Sequence, residues 1–164
     1  MLTKGIKDED FVNYRKPSMF IIFPNCSFKC DHENGCRMCQ NSHLAHIDNI
    51  EIDIDIIVQR YINNPITHAI VCGGLEPFDS FDDLYDIIRY TRFKYNNKDD
   101  IVIYTGYTEE EIKDHYLWHN IFDYDNIIIK YGRFRPNQEP HYDEVLGVNL
   151  VSDNQYAKRY NYED

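Results

Sequence analysis

Four short apolar runs recur along this chain, and each empties into a loop carrying proline, cysteine or glycine. Met19-Phe20-Ile21-Ile22-Phe23, closed by Pro24, predicts a buried strand over about Ser18 to Phe23. Thr67 to Cys72 predicts a second strand, Ile101 to Tyr104 a third and Ile127 to Lys130 a fourth. Between them the period changes. Ile50, Ile52, Ile54 and Ile56 alternate as in a strand, but Asp53 and Asp55 can cap a helix through Ile57, Arg60 and Tyr61. The stop at Asn63-Asn64-Pro65 favours the helix. Ser80 caps a helix with Phe81, Leu84, Ile87, Ile88 and Thr91 at helical spacing, and Thr108-Glu109-Glu110-Glu111 reads as a capping box opening another helix. Residues 1–17 are polar and read as an irregular arm. The tail 135–164 is polar, with a short apolar patch from Val145 to Val151.

Strand, loop and helix in repetition predict an α/β fold with a mainly parallel sheet of at least four strands and right-handed crossovers. Every unusual segment follows the C-terminal end of a strand. Cys26–Cys39, Gly73–Glu76, Gly106 and Gly132 therefore meet along one rim, where such sheets hold their ligands.

The chain has 164 residues with 43% hydrophobic content, enough for one domain with a core. A net charge of −11 argues against unaided binding to nucleic acid or an anionic membrane surface. The first ten residues are polar and charged, and no apolar run approaches membrane length, so a cytoplasmic protein is expected.

Four of the five cysteines crowd into one loop, at Cys26, Cys30, Cys36 and Cys39. In a reducing compartment such clusters are metal ligands or redox groups more often than disulfides. Cys36-x-x-Cys39 suits a zinc knuckle, although Cys26 and Cys30 are three residues apart. An iron–sulfur cluster is the other reading, since cysteine thiolates hold such clusters. The second motif, Gly73-Gly74-Leu75-Glu76-Pro77, reads on its own as a tight strand-to-helix turn. Its place on the cysteine rim adds a function. Two residues without Cβ let a ligand approach the backbone, and Glu76 offers a carboxylate to a cationic group. His43 and His46 follow the cysteines and read as solvated or core-edge residues, and Cys72 as a small buried hydrophobe.

C-S-F-K-C followed by C-Q-N resembles the cluster signature of radical S-adenosylmethionine (SAM) enzymes, and G-G-L-E resembles their G-G-E motif. Together with Tyr104-Thr-Gly-Tyr107 and Ser152-Asp-Asn-Gln155, the pattern over roughly residues 18–155 is similar to the activating proteins of anaerobic ribonucleoside-triphosphate reductases. The resemblance implies a partial (β/α) barrel of the radical SAM type. It also implies a [4Fe-4S] cluster on Cys26, Cys30 and Cys39, with Asp31 to Met38 as an inserted loop. Cys26, Cys36 and Cys39 is the alternative triple. Gly73, Gly74 and Glu76 would contact SAM. The implied activity is reductive cleavage of SAM that installs a glycyl radical on the large reductase, fed by a one-electron donor the sequence does not identify. A small radical SAM enzyme acting on a metabolite or peptide, and a non-catalytic zinc-binding module, are the alternatives.

Overall fold

The structure, a computed structural model, describes residues 1–162. In chain order its strands and helices are β1 (Leu2–Thr3), β2 (Gly5–Asp10), β3 (Ser18–Phe23), α1 (Lys29–Asn34), β4 (Ile50–Glu51), α2 (Ile54–Ile62), β5 (Ala69–Gly74), α3 (Phe81–Arg89), β6 (Asp100–Tyr104), α4 (Glu109–Asp114), β7 (Ile127–Tyr131), β8 (His141–Asp143), β9 (Val148–Leu150) and β10 (Tyr156–Tyr160). Short 3₁₀ turns occupy Ser42–His46, Pro77–Ser80 and Trp118–Asp123, and a π turn at Tyr90–Lys94 extends α3.

Among the described residues the central sheet has six strands in the order β10-β7-β6-β5-β3-β2. The four strands read from the apolar runs, β3, β5, β6 and β7, are parallel and adjacent in chain order. Each crossover therefore steps one strand in the same direction. Right-handed crossovers that never reverse put the helices on one face. That face buries Ile57 and Tyr61 of α2, Leu84, Ile87 and Ile88 of α3 and Ile112 of α4 against Met19, Ile21, Phe23, Ile70, Cys72, Ile101, Ile103, Ile127 and Ile129. The opposite face carries Ala69, Val71, Val102 and Ile128. Tyr14 and the β8–β9 segment, through Leu146 and Leu150, cover it without any helix. Cover on both faces explains why the strands are continuously apolar.

The two edges differ from the sequence reading. Residues 1–17 were expected to be irregular, yet β2 pairs antiparallel with β3, and β1 pairs with β4. Glu9 and Lys7 are exposed on that edge strand, so its charges mask its pairing. The polar tail likewise supplies β10, antiparallel to β7, with Ala157 buried between exposed Tyr156 and Lys158. Two antiparallel edge strands thus flank a parallel core, and no helix among the described residues is long and apolar enough to cross a membrane.

Two of the expected caps form, whereas Ser80 stands at the N-cap of α3 without a side-chain cap bond. The Asp53 side chain accepts from Asp55 N at the start of α2. At α4 the box is reciprocal: Thr108 Oγ1 accepts from Glu111 N at 3.2 Å, and Glu111 Oε2 accepts from Thr108 N at 2.9 Å. Gly74 ends β5 at φ 88°, and a Cβ there would overlap Cγ2 of Ile22. Packing on β3 together with positive φ therefore demands glycine. Gly74→Ala is expected to destabilise the fold by about 1–3 kcal/mol, the scale of a forced left-handed residue, with more added by the overlap. Urea denaturation at neutral pH measures it.

Candidate metal centre

The rim at the C-terminal ends of β3, β5, β6 and β7 opens into a cleft of about 420 Å³. Cys26, Cys30 and Cys39 line it with Gly74, Glu76, Tyr104, Gly106 and Lys130. The three thiols are half-buried. Cys36 is exposed and lines a separate open cavity of about 570 Å³ with His32, Arg37 and His46. Its Sγ lies 3.5 Å from the Asn34 carbonyl. Gly73 is buried one residue back in β5, beside the Phe20 ring and Tyr104 Cβ, and does not line the cleft. Cys72 is fully buried in the helical-face core.

The cysteine loop is held by polar tethers. Helix α1 has six residues, none buried, and its N-cap Phe28 sits at φ 51° with no side-chain cap. So short a helix has little stability of its own. Lys29 pairs with Glu111 at 3.4 Å, Glu33 with Arg133 at 2.9 Å, and Asn34 Nδ2 donates to the Cys30 and Phe134 carbonyls at 2.7 and 3.3 Å. Arg133 forks onto Glu111 with 2.9 and 2.7 Å bonds. Further on, Asn41 Nδ2 donates to the Gly74 carbonyl at 3.0 Å. The C-Q-N tail is thereby fixed to the end of β5.

Glu76 is 6% exposed and joins three loops. Its N–H donates to the Asn25 carbonyl at 2.7 Å. Oε1 accepts from Thr105 Oγ1 at 2.8 Å and Phe78 N at 3.2 Å, and Oε2 accepts from Gly106 N at 2.8 Å. A carboxylate has about four acceptor sites, so Oε2 keeps room for one more donor. Gly106 lies close to both the cysteine and the carboxylate. A Cβ there would sit 3.5 Å from Cys30 Sγ and 3.6 Å from Glu76 Oε2. Burial pushes the Glu76 carboxyl up to about 7 against those three donors.

Lys130 is the residue the sequence reading passed over, because it sat inside an apolar run as the last position of a strand. It is 7% exposed, faces the same cleft, and its ammonium donates to the Gly132 carbonyl at 3.1 Å. Burial lowers its pKa to about 8, with Glu76 acting the other way. A buried lysine without an ion pair is rare. The signal available in the sequence was a cation in a run that otherwise has none.

The thiols suit a metal–sulfur group. Burial raises all three above the ordinary thiol value, Cys26 to about 12, so they are protonated until a metal displaces the protons. Among the described residues no three Cys, His, Asp or Glu side chains converge as ligands of a single ion. A cluster takes one thiolate per iron at separate corners, and the three thiols line one cleft.

An α/β fold with a cysteine-lined cleft at its strand ends makes a candidate metal or iron–sulfur site. Comparison with known families agrees. The family model described as "4Fe-4S single cluster domain" matches residues 17–155, and the chain belongs to that family. No curated protein and no solved structure matches it.

The Arg133 fork generates a pH prediction. Hydrogen bonds from Arg133, helped by the Thr108 N–H and opposed by burial, hold the Glu111 carboxyl at about 2, below its ordinary 4.5. A depressed carboxyl stabilises the fold above its unfolded value and loses that contribution as pH falls through the folded one. Arg133→Ala is expected to cost about 1–3 kcal/mol at pH 7, the scale of hydrogen bonds to a charged group. The deficit against wild type should shrink as pH drops from 4.5 toward 2, as read by urea denaturation across that range.

Proposed function

We propose that this protein is a radical SAM activase that installs a glycyl radical on an anaerobic ribonucleotide reductase. In this reading the open sheet is a partial (β/α) barrel of the radical SAM type. The observation that carries the proposal is the division of the cysteines, three in one cleft and the fourth turned away. Three protein thiolates on a four-iron cluster leave one iron for another ligand.

Each residue then has a task. Cys26, Cys30 and Cys39 hold the cluster at the mouth of β3. Glu76 takes the amino group of SAM at the vacant acceptor site on Oε2, beside the Gly74 backbone. Lys130 offers a cation to the ligand's carboxylate, so the cleft matches a zwitterion with one buried charge of each sign. Tyr104, Phe20 and Ile22 give the remaining wall an aromatic and apolar character that keeps water out. With cluster and SAM bound, the chemistry supplied is one-electron cleavage of the sulfonium–carbon bond, followed by hydrogen removal from a glycine Cα. No protein acid or base is needed for it. The cleft is open to solvent on one side, and a large partner presenting a flexible glycine loop would close it.

The decisive experiment is anaerobic reconstitution with iron and sulfide, then SAM, a reductant and the cognate reductase. About four irons per chain, methionine release and a glycyl-radical doublet in the paramagnetic resonance spectrum are expected. The doublet should lose its main splitting when the reductase glycine carries deuterium at Cα. Stoichiometric zinc that survives reconstitution rejects the cluster. SAM cleavage without a radical on a competent reductase rejects the activase role and points to a small-molecule or peptide substrate.

Ligand assignment is tested separately. Cys36→Ala is expected to keep the full iron content and its visible absorption, whereas Cys30→Ala loses them. The reverse result would transfer the site to Cys26, Cys36 and Cys39.

A further inference from the structure

The eight residues between Cys30 and Cys39 raise a question of register. An insertion of that length frees the last cysteine from the helix that carries the one before it, unless something ties them. The structure supplies a tie. Asp31, the residue after Cys30 in α1, turns its side chain across the loop. Its Oδ1 accepts from Met38 N at 2.9 Å and from Cys39 N at 2.8 Å. The chain returns to it through Gly35 at φ 69°, whose N–H bonds back to the His32 carbonyl at 3.3 Å. The same reversal leaves Cys36 at the outer bend, facing the second cavity.

We propose that Asp31 is the positioning residue of this centre. Its carboxylate holds Cys39 in register with Cys30, and its charge keeps the reduction potential of the cluster lower than a neutral side chain would. This rests on the assignment of Cys26, Cys30 and Cys39 as ligands.

Two physical effects run through one oxygen. The first is geometric. Two amide donors on one acceptor fix the backbone of residues 38 and 39, which aims the Cys39 side chain into the cleft. The second is electrostatic. A carboxylate hydrogen-bonded to the backbone of a ligand cysteine stands close to the cluster, and negative charge there opposes the arrival of an electron. The two amides that Oδ1 engages are also withheld from the cluster sulfurs, where such bonds would ease reduction. Asn34, Glu33 and Lys29 anchor α1 to the rim and Asn41 ties the C-Q-N tail to β5, but of these tethers Asp31 is the one that joins the helix of Cys30 directly to Cys39.

Two substitutions separate the effects. Asp31→Asn keeps an oxygen able to accept both N–H groups and removes the charge. Asp31→Ala removes both. The Asp31 bonds lie within the cysteine loop and outside both cores, so the far-ultraviolet circular dichroism of the apo-protein is expected to match wild type in both variants and provides the folding control. After anaerobic reconstitution, Asp31→Ala should hold the cluster about 10–100-fold more weakly against a chelator, the scale of losing a group that orients a ligand. Asp31→Asn should retain wild-type iron content, and its cluster should titrate at a higher potential when followed by paramagnetic resonance. Full retention and an unchanged potential in Asp31→Ala would overturn the proposal. So would an Asp31→Asn protein that loses iron as Ala does, or that titrates where wild type does. Failure of the wild-type chain to take up iron and sulfide at all would reject the cluster itself, before any variant is compared.

Discussion

The buried carboxylate of Glu76 is the constraint on which the site depends. Taking a carboxylate out of water is costly unless donors replace the solvent, and three donors from two other positions on the rim do so. Those donors come from the turn after β5 and the end of β6, while the Glu76 N–H reaches the cysteine loop at Asn25. One residue thus ties three strand ends together, its side chain joining β5 to β6 and its backbone N–H reaching the loop after β3. The exchange is incomplete, which is why burial still lifts its pKa to about 7. Lys130 is in the same position with the opposite sign. Two buried, opposite, unpaired charges on one cleft are poor economy for a scaffold and apt for a ligand carrying both signs.

The parallel core was legible because its signal is hydrophobic and continuous. β3, β5, β6 and β7 fall within two residues of the runs that predicted them. Thr108 and Asp53 were legible because capping needs particular oxygens at fixed offsets. What was not legible follows from the same physics. β2 and β10 are edge strands with solvent on one side, so their composition is that of a polar arm and a polar tail. The sequence G-I-K-D-E-D carries no pattern that separates an edge strand from a loop. The preference for a helix over Ile50–Asn63 was right from Ile54 onward, and the alternation before it marks the two residues of β4.

At the site, residue types were legible and orientation was not. Cysteine spacing alone left Cys30 and Cys36 in competition, because both lie at permitted distances from a partner. Their difference lies in the tertiary structure: Cys30 is in α1 facing the rim, and Cys36 lies past a glycine turn. Gly73 and Gly74 were read together as ligand-facing, yet Gly74 alone lines the cleft, and the overlap with Ile22 gives it a packing reason to be glycine. Spacing could not distinguish those two reasons.

The cysteine loop is the least self-sufficient part of the molecule. Helix α1 buries nothing, begins without a side-chain cap, and is moored by exposed or partly exposed ion pairs, each worth little in water. The strands below it are packed on both faces. A rigid sheet therefore presents a segment whose own interactions barely order it, at the spot where three thiols gather. Under the proposed assignment, ligand bonds that form when the thiols deprotonate supply further order and couple cluster binding to the folding of this loop. Tethers such as Asp31 and Asn41 then have a defined purpose. Under the proposed ligand assignment they shorten the search by holding Cys39 near Cys26 and Cys30 before any metal arrives, which lowers the entropy lost when the centre assembles.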